Sequence, residues 1–471
     1  MKKNFLYYLS PSIVRGGIGL FVIIPVSTHY LDPEHFGAFA IVSVFTGLLL
    51  PLSSLGVGWV LGGNYYRINL EERKELVFNV LFFEMVLRAF WAIIFVALGL
   101  FFLPNLINLF QKEYYTFFVI LLVADCLNGV NEIGSYVLVL EKKGKTHALL
   151  EITEVWSNLL VLLFCLAVFD LKAISLVLAY FGAALGRFVF CLINLRHLVT
   201  LRLRLKWFKE IYRLGFAGIP LNLFDRVSSS IERFFIERWV GIGKLGIYSH
   251  SVNYQRIFIK VFKAFSRSFS PELLDGISNE DAKKIARVRE VVKKWFGLVT
   301  IAGIGVCFFS KPIIKFLTHD KFTEAATLVN AWTIVILIYS FGVPYTQFLL
   351  AHKKIKFMFI SDITTGVVSW VITALLVKYF SIVGAAAAIL IYFFMLYTSR
   401  KIYCLRLGVA NFEGYSFWIS LTIIIVAMFI SAVDMPLIWE IIIFIAITVG
   451  LLHYFKLNSY IRDILKKIGY V

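Results

Sequence analysis

Several arginines stand where a charged side chain is expensive. Arg15, Arg88, Arg187 and Arg256 each sit well inside a long apolar stretch. Arg15 lies about 11 residues into the first of these, or roughly 16 Å at 1.5 Å per residue. An ionised group at that depth in a bilayer costs at least a few kcal/mol unless it is paired or faces water. A guanidinium remains charged at any relevant pH and presents planar, bidentate donors, which suits a phosphate or pyrophosphate group. Over residues 213–239, Asn222, Asp225 with Arg226, Ser229, and Glu232 with Arg233 recur at three- and four-residue steps, one polar stripe if the segment is a single helix. His250, Asn253 and Arg256 repeat that spacing in the next segment. Arg15, Arg226 and Arg256 have no same-face acid in their own segments except Asp225 beside Arg226, and they point to an anion path. Glu84 and Arg88, four apart, read as a self-satisfied ion pair. Glu232 and Arg233 serve equally as an interhelical pair or as part of the path.

The intramembrane acids are Asp125 and Glu132, Glu151 and Glu154, and Asp362. Glu151 and Asp362 occupy matching places near the starts of their segments, where the neighbouring lysines are the expected partners. Acids lining the path would suit a cationic cargo, or a coupling H+ or Na+, which the sequence supports only weakly. No nucleophile and base pair appears, no metal-ligand spacing, and no cofactor motif, so no catalytic residue is assigned.

What positions these residues is membrane. Of the 471 residues, 60% are hydrophobic and 16% charged, and the mean hydropathy is +0.82, outside the range of a water-soluble domain. Apolar runs long enough to span, roughly 20 residues, are predicted at 4–31, 36–62, 76–103, 114–139, 147–169 and 172–197, then at 213–239, 245–272, 290–317, 324–350, 354–379 and 381–405, with a last pair at 414–433 and 436–455. The fold class is all-α and polytopic, with about fourteen transmembrane helices, or twelve if the last pair is re-entrant or interfacial. Lys2 and Lys3 precede the first run as in a signal peptide, but Arg15 interrupts it and no small-residue cleavage site follows, so it reads as a retained span.

Most of the 47 lysines and arginines fall in alternate loops, which places those loops and both termini in the cytoplasm. The net charge of +18 follows from this bias and from anionic lipid headgroups rather than from nucleic-acid binding. The five cysteines, Cys126, Cys165, Cys191, Cys307 and Cys404, lie in apolar segments, which argues against a disulfide framework and a zinc site.

The chain also repeats itself. Lys142-Lys143-Gly144-Lys145 followed by Glu151-Ile152-Thr153 matches Lys353-Lys354-Ile355-Lys356 followed by Asp362-Ile363-Thr364 at an offset of about 211 residues, and Pro11 with Pro220, and Gly37 with Gly246, match at about 209. The expected organisation is a six-helix lobe at 1–197, a cytoplasmic amphipathic connection at 198–212, a second six-helix lobe at 213–406, and an extra helix pair with a tail at 407–471. Halves entering from the same side imply a pseudo-twofold axis along the membrane normal and a cleft between them. The connection, Leu201-Arg202-Leu203-Arg204-Leu205-Lys206-Trp207-Phe208, alternates apolar with basic and is expected in the interface, as a hinge or as an inert tether.

Leu31-Asp32-Pro33-Glu34-His35-Phe36-Gly37, with Ser53-Ser54-Leu55-Gly56-Val57 after it, resembles a signature of polysaccharide flippases. Glu232-Arg233-Phe234-Phe235 followed by Gly243-Lys244-Leu245-Gly246-Ile247-Tyr248-Ser249 resembles their junction between the seventh and eighth helices, with Glu232 where the family usually has Asp. The chain is similar throughout to Wzx-type O-antigen and exopolysaccharide flippases, of the multidrug/oligosaccharidyl-lipid/polysaccharide exporter superfamily. That resemblance implies alternating access in the bacterial inner membrane, an undecaprenyl-pyrophosphate-linked oligosaccharide as substrate, other polysaccharide assembly proteins as partners, and a cationic cavity at Arg15, Arg226 and Arg256, with Arg233, Asn222 and Asn253 nearby. The rival readings are a multidrug exporter of the same superfamily, working by cation/H+ or Na+ antiport, and a membrane glycan polymerase. The short outside loops argue against the polymerase.

Overall fold

The computed structural model describes residues 14, 16–48, 51–52, 60–61, 64–106, 112–215, 219–256, 259, 282–352, 354–408, 414–433, 435–455 and 457. Among them the chain is helical and carries no strand. The helices are α1 (Gly16–Tyr30), α2 (Pro33–Gly47), α3 (Leu70–Leu106), α4 (Lys112–Leu140), α5 (Gly144–Ala167), α6 (Ile174–Leu195), α7 (Leu205–Gly215), α8 (Ile219–Ser228), α9 (Ile231–Trp239) and α10 (242–256). They continue as α11 (Ala282–Thr318), α12 (Ala325–Ala351), one run over Ile355–Arg406, α15 (Ser416–Ala432) and α16 (Leu437–Tyr454). Eight described helices are long and apolar enough to cross a membrane, with α1 and α15 as shorter apolar helices. Exposed Phe21, Ile93, Val371, Phe429 and Val449 fit a lipid-facing surface.

The run over Ile355–Arg406 has 52 residues, about 78 Å if straight, against a hydrocarbon core of about 30 Å. It breaks at Ser381, whose φ of 59° and ψ of −141° leave the helical region. The halves, α13 (355–380) and α14 (382–406), are the two spans that hydropathy separates between 379 and 381. Gly384 permits the turn, because a Cβ there would lie 2.0 Å from the Leu376 carbonyl oxygen.

The chain divides into two compact units, Met1–Ser249 with Leu317–Lys321, and His250–Phe316 with Phe322–Val471. In the first, α4 packs on α3 and α6, α5 on α6, and α2 on α4. Val77, Val80, Ile133, Val137, Leu150, Cys191 and Trp207 form part of its buried core. In the second, Phe296, Phe308, Phe341, Tyr345, Tyr397 and Phe417 anchor the core, with Phe296 and Phe341 stacked at 3.7 Å. The last helix pair joins this core: the Thr300 hydroxyl donates to Ser420 Oγ at 2.8 Å, and Phe309 meets Phe444 edge-on at 5.4 Å.

The seventh predicted span is not one helix. It breaks between α8 and α9 at Ser229 and Ser230, where the Ser230 N–H turns back to the Val227 carbonyl at 3.0 Å. Ser229 Oγ donates to the Arg226 carbonyl at 3.1 Å. A run of three serines whose hydroxyls compete for backbone partners weakens the helix there. α11 in turn begins well before the predicted boundary at 290, because its first turns, with Lys283, Arg287 and Arg289, are helical but charged.

α2 starts on Pro33, whose fixed φ suits the first turn, and the Asp32 N–H donates to His35 Nδ1 at 3.0 Å. Its first turn meets the first turn of α10 backbone to backbone. A Cβ on Gly37 would lie 2.0 Å from the Ile242 carbonyl oxygen, and one on Gly246 would lie 1.7 Å from that of Pro33. Pro33 and Ile242 stand at the same sequence offset as Gly37 and Gly246, so the contact is reciprocal: each glycine receives the residue equivalent to the one its partner receives. Such exchange is what a local twofold relation between the two helix starts produces.

Candidate functional site

The charged residues of the membrane segments sort by what holds them. In the first unit Arg88, 1% exposed, is the hub of a network on α3, α4 and α6. Its Nε donates to Glu84 at 2.7 Å, one Nη to the Asp125 carbonyl at 2.7 Å, and the other to Glu132 at 3.0 Å. Gly129 makes room for it, since a Cβ there would lie 2.6 Å from Arg88 Nε. The Asp125 carboxylate accepts from Tyr180 at 3.0 Å, Asn128 donates to the same tyrosine at 3.0 Å, and Asn131 donates to the Ala184 carbonyl at 2.9 Å. Each contact offsets part of the cost of burying its neighbour. The predicted Glu84–Arg88 pair is therefore present, and larger than its spacing indicates.

Arg187 on α6 binds Glu154 at 2.8 Å and Glu151 at 3.1 Å, both on α5. In the second unit Arg400 on α14 binds Asp362 on α13 at 2.6 Å, and donates to Thr346 at 2.8 Å. These two arginines are partners of Glu151 and Asp362 that the expected lysine pairing did not include. A guanidinium on the adjacent helix reaches a carboxylate at this depth with two donors in a fixed plane, whereas the lysines lie towards the helix ends. Glu151 with Arg187, and Asp362 with Arg400, stand at nearly the same sequence offset, so each half carries its own copy of the pair.

The residues expected to line an anion path are distributed as follows. Arg15 lies outside the described residues, as do the side chains of Asn222 and Asp225. Arg226, half-buried on α8, donates from Nε to the Gly47 carbonyl at 3.0 Å. Gly47 is the last residue of α2, where carbonyls lack intrahelical partners and the helix dipole is negative, so Arg226 caps that helix. A Cβ on Gly47 would sit 3.2 Å from the guanidinium, which explains the small residue. Arg226 is also close enough to Asp125 for their charges to interact. Arg233 lies beside Glu232, 3.9 Å between nearest charged atoms, both largely buried. The break between α8 and α9 means that Arg226 and Arg233 do not share one helical face.

In the second unit Asn253 and Arg256 are exposed on α10, while His250 is 1% exposed. His250 Nε2 hydrogen-bonds Tyr254 Oη at 3.1 Å, and its ring packs on Phe322 at 4.5 Å. The predicted stripe His250, Asn253 and Arg256 therefore splits, with the histidine inside and the other two outside. An i+4 aromatic hydroxyl gives the imidazole a partner that keeps it out of the polar face.

One cluster was not anticipated. The turn Leu317–Lys321 joins α11 to α12 yet groups with the first unit, where the Thr28 hydroxyl donates to the Leu317 carbonyl at 3.1 Å. Lys321 Nζ lies 2.9 Å from Asp32 and donates to the His29 carbonyl at 3.2 Å. The rings of His29 and His319 meet edge-on at 5.4 Å. The Lys321 ammonium, hydrogen-bonded to Asp32, holds that carboxyl below the usual carboxylate range.

Residues 28–327, more than half of the chain, match the sequence profile described as polysaccharide biosynthesis protein. The chain belongs to that family. No curated protein sequence matches it. Among solved structures it is similar to the lipid II flippase MurJ in an inward closed conformation, with TM-score 0.74 and 15% identity over 99% of this chain and 100% of that one. It is also similar to an inward-facing multidrug resistance MATE family transporter of the MOP superfamily, with TM-score 0.65 and 14% identity over 84% and 98% of the two chains. A MOP superfamily transporter from Pyrococcus furiosus, described as having a binding pocket of reverse polarity, gives TM-score 0.56 and 15% identity over 87% and 97%. At these identities the likeness establishes the fold alone, which with the eight long apolar helices is that of a multi-pass membrane protein.

Proposed function

We propose that this polysaccharide biosynthesis protein is a flippase, carrying an undecaprenyl-pyrophosphate-linked oligosaccharide repeat unit from the cytoplasmic to the outer face of the inner membrane by alternating access. The product would supply O-antigen, capsule or exopolysaccharide. Fourteen spans in two six-helix halves plus an added pair, with both termini cytoplasmic, are part of this reading. The observation that carries it is the disposition of the membrane acids. Glu84 and Glu132 are held by Arg88, Glu151 and Glu154 by Arg187, and Asp362 by Arg400. Acids already hydrogen-bonded to a guanidinium are poorer ligands for a cationic drug than free ones, which disfavours the multidrug-exporter reading. The residues proposed to meet the substrate are Arg256 and Asn253, exposed on α10, and, in the same role, Arg15, Arg226, Arg233 and Asn222. Guanidinium groups of this kind match a pyrophosphate. Asp125 is the acid best placed to take a coupling proton, because its hydrogen-bonding side-chain partner is the neutral Tyr180.

The test is to remove the gene and locate the lipid-linked single repeat units. Accumulation on the cytoplasmic face supports flipping, whereas accumulation on the outer face identifies polymerisation and refutes the reading. Complementation with Arg256→Gln, which still inserts, is expected to leave surface glycan strongly reduced. Normal glycan from that variant removes Arg256 from the site.

A further inference from the structure

The connection between α6 and α7 is built to present leucines outward. Asn79, on the third turn of α3, donates from Nδ2 to the Arg202 carbonyl at 2.7 Å and accepts the Arg204 N–H on Oδ1 at 2.8 Å. Both polar ends of one side chain are thereby spent on the backbone of two alternate residues of the connection. Glu75, one turn earlier and 4% exposed, binds Arg204 at 2.8 Å and lies 3.6 Å from Arg202. These contacts tie residues 202 and 204 to α3, while Leu201, Leu203 and Leu205 remain 82%, 56% and 85% exposed.

α7 completes the surface. Its inner face buries Trp207 and Ile211, sets Phe208 against Phe83 at 5.5 Å, and ties Glu210 to Asn64 at 3.0 Å. Lys206 and Lys209 remain exposed and make no ion pair among the described residues. The Arg202 side chain is 71% exposed despite its contact with Glu75. The segment leaves a span ending at Leu198 and docks beside the start of the span beginning at Leu70, which sets it at headgroup depth. Three exposed leucines followed by Lys206 and Lys209 are unfavourable in water, but match the boundary between acyl chains and anionic headgroups.

We propose that Leu201–Lys209 is a docking surface for anionic glycerophospholipid. The leucines sit among the first acyl carbons, while Lys206, Lys209 and the outer side of Arg202 receive the headgroup phosphates. Asn79 and Glu75 position the segment without touching lipid. The surface is independent of the transported substrate, so it stands or falls separately from the flippase reading.

The test uses the full chain in vesicles, with bimane attached at Leu203→Cys and the unsubstituted chain labelled in parallel as background. Lipids brominated near the top of the acyl chain are supplied as phosphatidylglycerol or as phosphatidylcholine. Both are expected to quench, with the phosphatidylglycerol several-fold more effective at equal mole fraction. Adding Lys206→Gln and Lys209→Gln, both at exposed positions, should abolish that preference while quenching persists. Equal quenching by the two lipids before the lysines are changed overturns the headgroup assignment. Absence of quenching by either places the face in water or against protein and overturns the proposal altogether.

Discussion

The contact between the first turns of α2 and α10 sets up a sharp test, because it is made by backbone rather than by adjustable side chains. Replacing Gly246 with Ala puts a methyl group 1.7 Å from the Pro33 carbonyl oxygen, 2.6 Å from its carbonyl carbon and 3.0 Å from the Gly37 nitrogen. No rotamer relieves this, so the helices must part by more than about 1 Å, and overpacking of that kind costs typically about 1–3 kcal/mol. Against it stands the helix propensity gained from Gly to Ala, about 1 kcal/mol. Gly450 on α16, where a Cβ meets nothing within 4 Å, isolates that gain. Thermal unfolding of the purified chain should therefore show Gly450→Ala unchanged or raised, and Gly246→Ala lowered. Gly37→Ala, whose Cβ would lie 2.0 Å from the Ile242 carbonyl oxygen, should be lowered as well. The double variant should lose less than the sum of the two, because the first methyl already opens the crossing that the second needs. Gly246→Ala unfolding at the temperature of Gly450→Ala, or a fully additive double variant, refutes the argument.

Arg88→Gln leaves Glu84 buried with no guanidinium, and should destabilise the chain by about 3–5 kcal/mol; adding Glu84→Gln should recover part of that in the same unfolding assay. Gly129→Ala, with a Cβ 2.6 Å from Arg88 Nε, should displace the guanidinium and lower stability by about 1–3 kcal/mol, with little further loss when Arg88→Gln is already present. Arg187→Gln removes two charged contacts and Arg400→Gln only one, so unfolding temperatures should fall further for the first, and Asp362→Asn should offset the second alone. Asp32 titrates below its ordinary value because of Lys321, so its stabilising contribution is complete above the unfolded pKa of about 3.9 and fades as pH falls through the lower folded value. The pair is largely exposed, which limits the effect to less than about 1 kcal/mol, and Lys321→Gln should remove that acid-side sensitivity in unfolding measured from pH 6 down to pH 3.

Much of the fold was legible because bilayer thickness leaves hydropathy few choices. The break at Ser381 is the clearest case: nothing in the local sequence forbids helix there, but a run of 52 residues must turn, and the apolar pattern places the turn next to the observed one. The break at Ser229 and Ser230 was not legible from the same signal. It interrupts no hydrophobic run, and only the competition of three serine hydroxyls for backbone acceptors marks it. Glu84 and Arg88 were readable because their partnership lies within one helix at a spacing of four. Arg187 with Glu151 and Glu154, and Arg226 with the Gly47 carbonyl 179 residues away, depend on which helices pack together, and spacing along one chain segment carries no such information. A usable signal did exist for Arg187, since the duplication that relates Glu151 to Asp362 also relates Arg187 to Arg400.

That duplication leaves two kinds of trace, and their difference bears on mechanism. The ion pair of Arg187 with Glu151, and its counterpart of Arg400 with Asp362, each lie inside one half and join consecutive helices of it, α5 to α6 and α13 to α14. They make each half rigid on its own. The glycine contact instead joins two helix starts within the first compact unit that the repeat makes equivalent, Gly37 on α2 and Gly246 on α10, with backbone carbonyls at both glycines. A crossing made mainly by backbone can change its angle with little repacking of side chains, whereas a guanidinium bonded to a carboxylate on the next helix resists displacement of the two. Charge therefore ties consecutive helices together, while glycine leaves the crossing of α2 and α10 mainly to backbone. On the proposed alternating-access reading, a side chain at Gly37 or Gly246 should slow transport by more than its effect on stability accounts for.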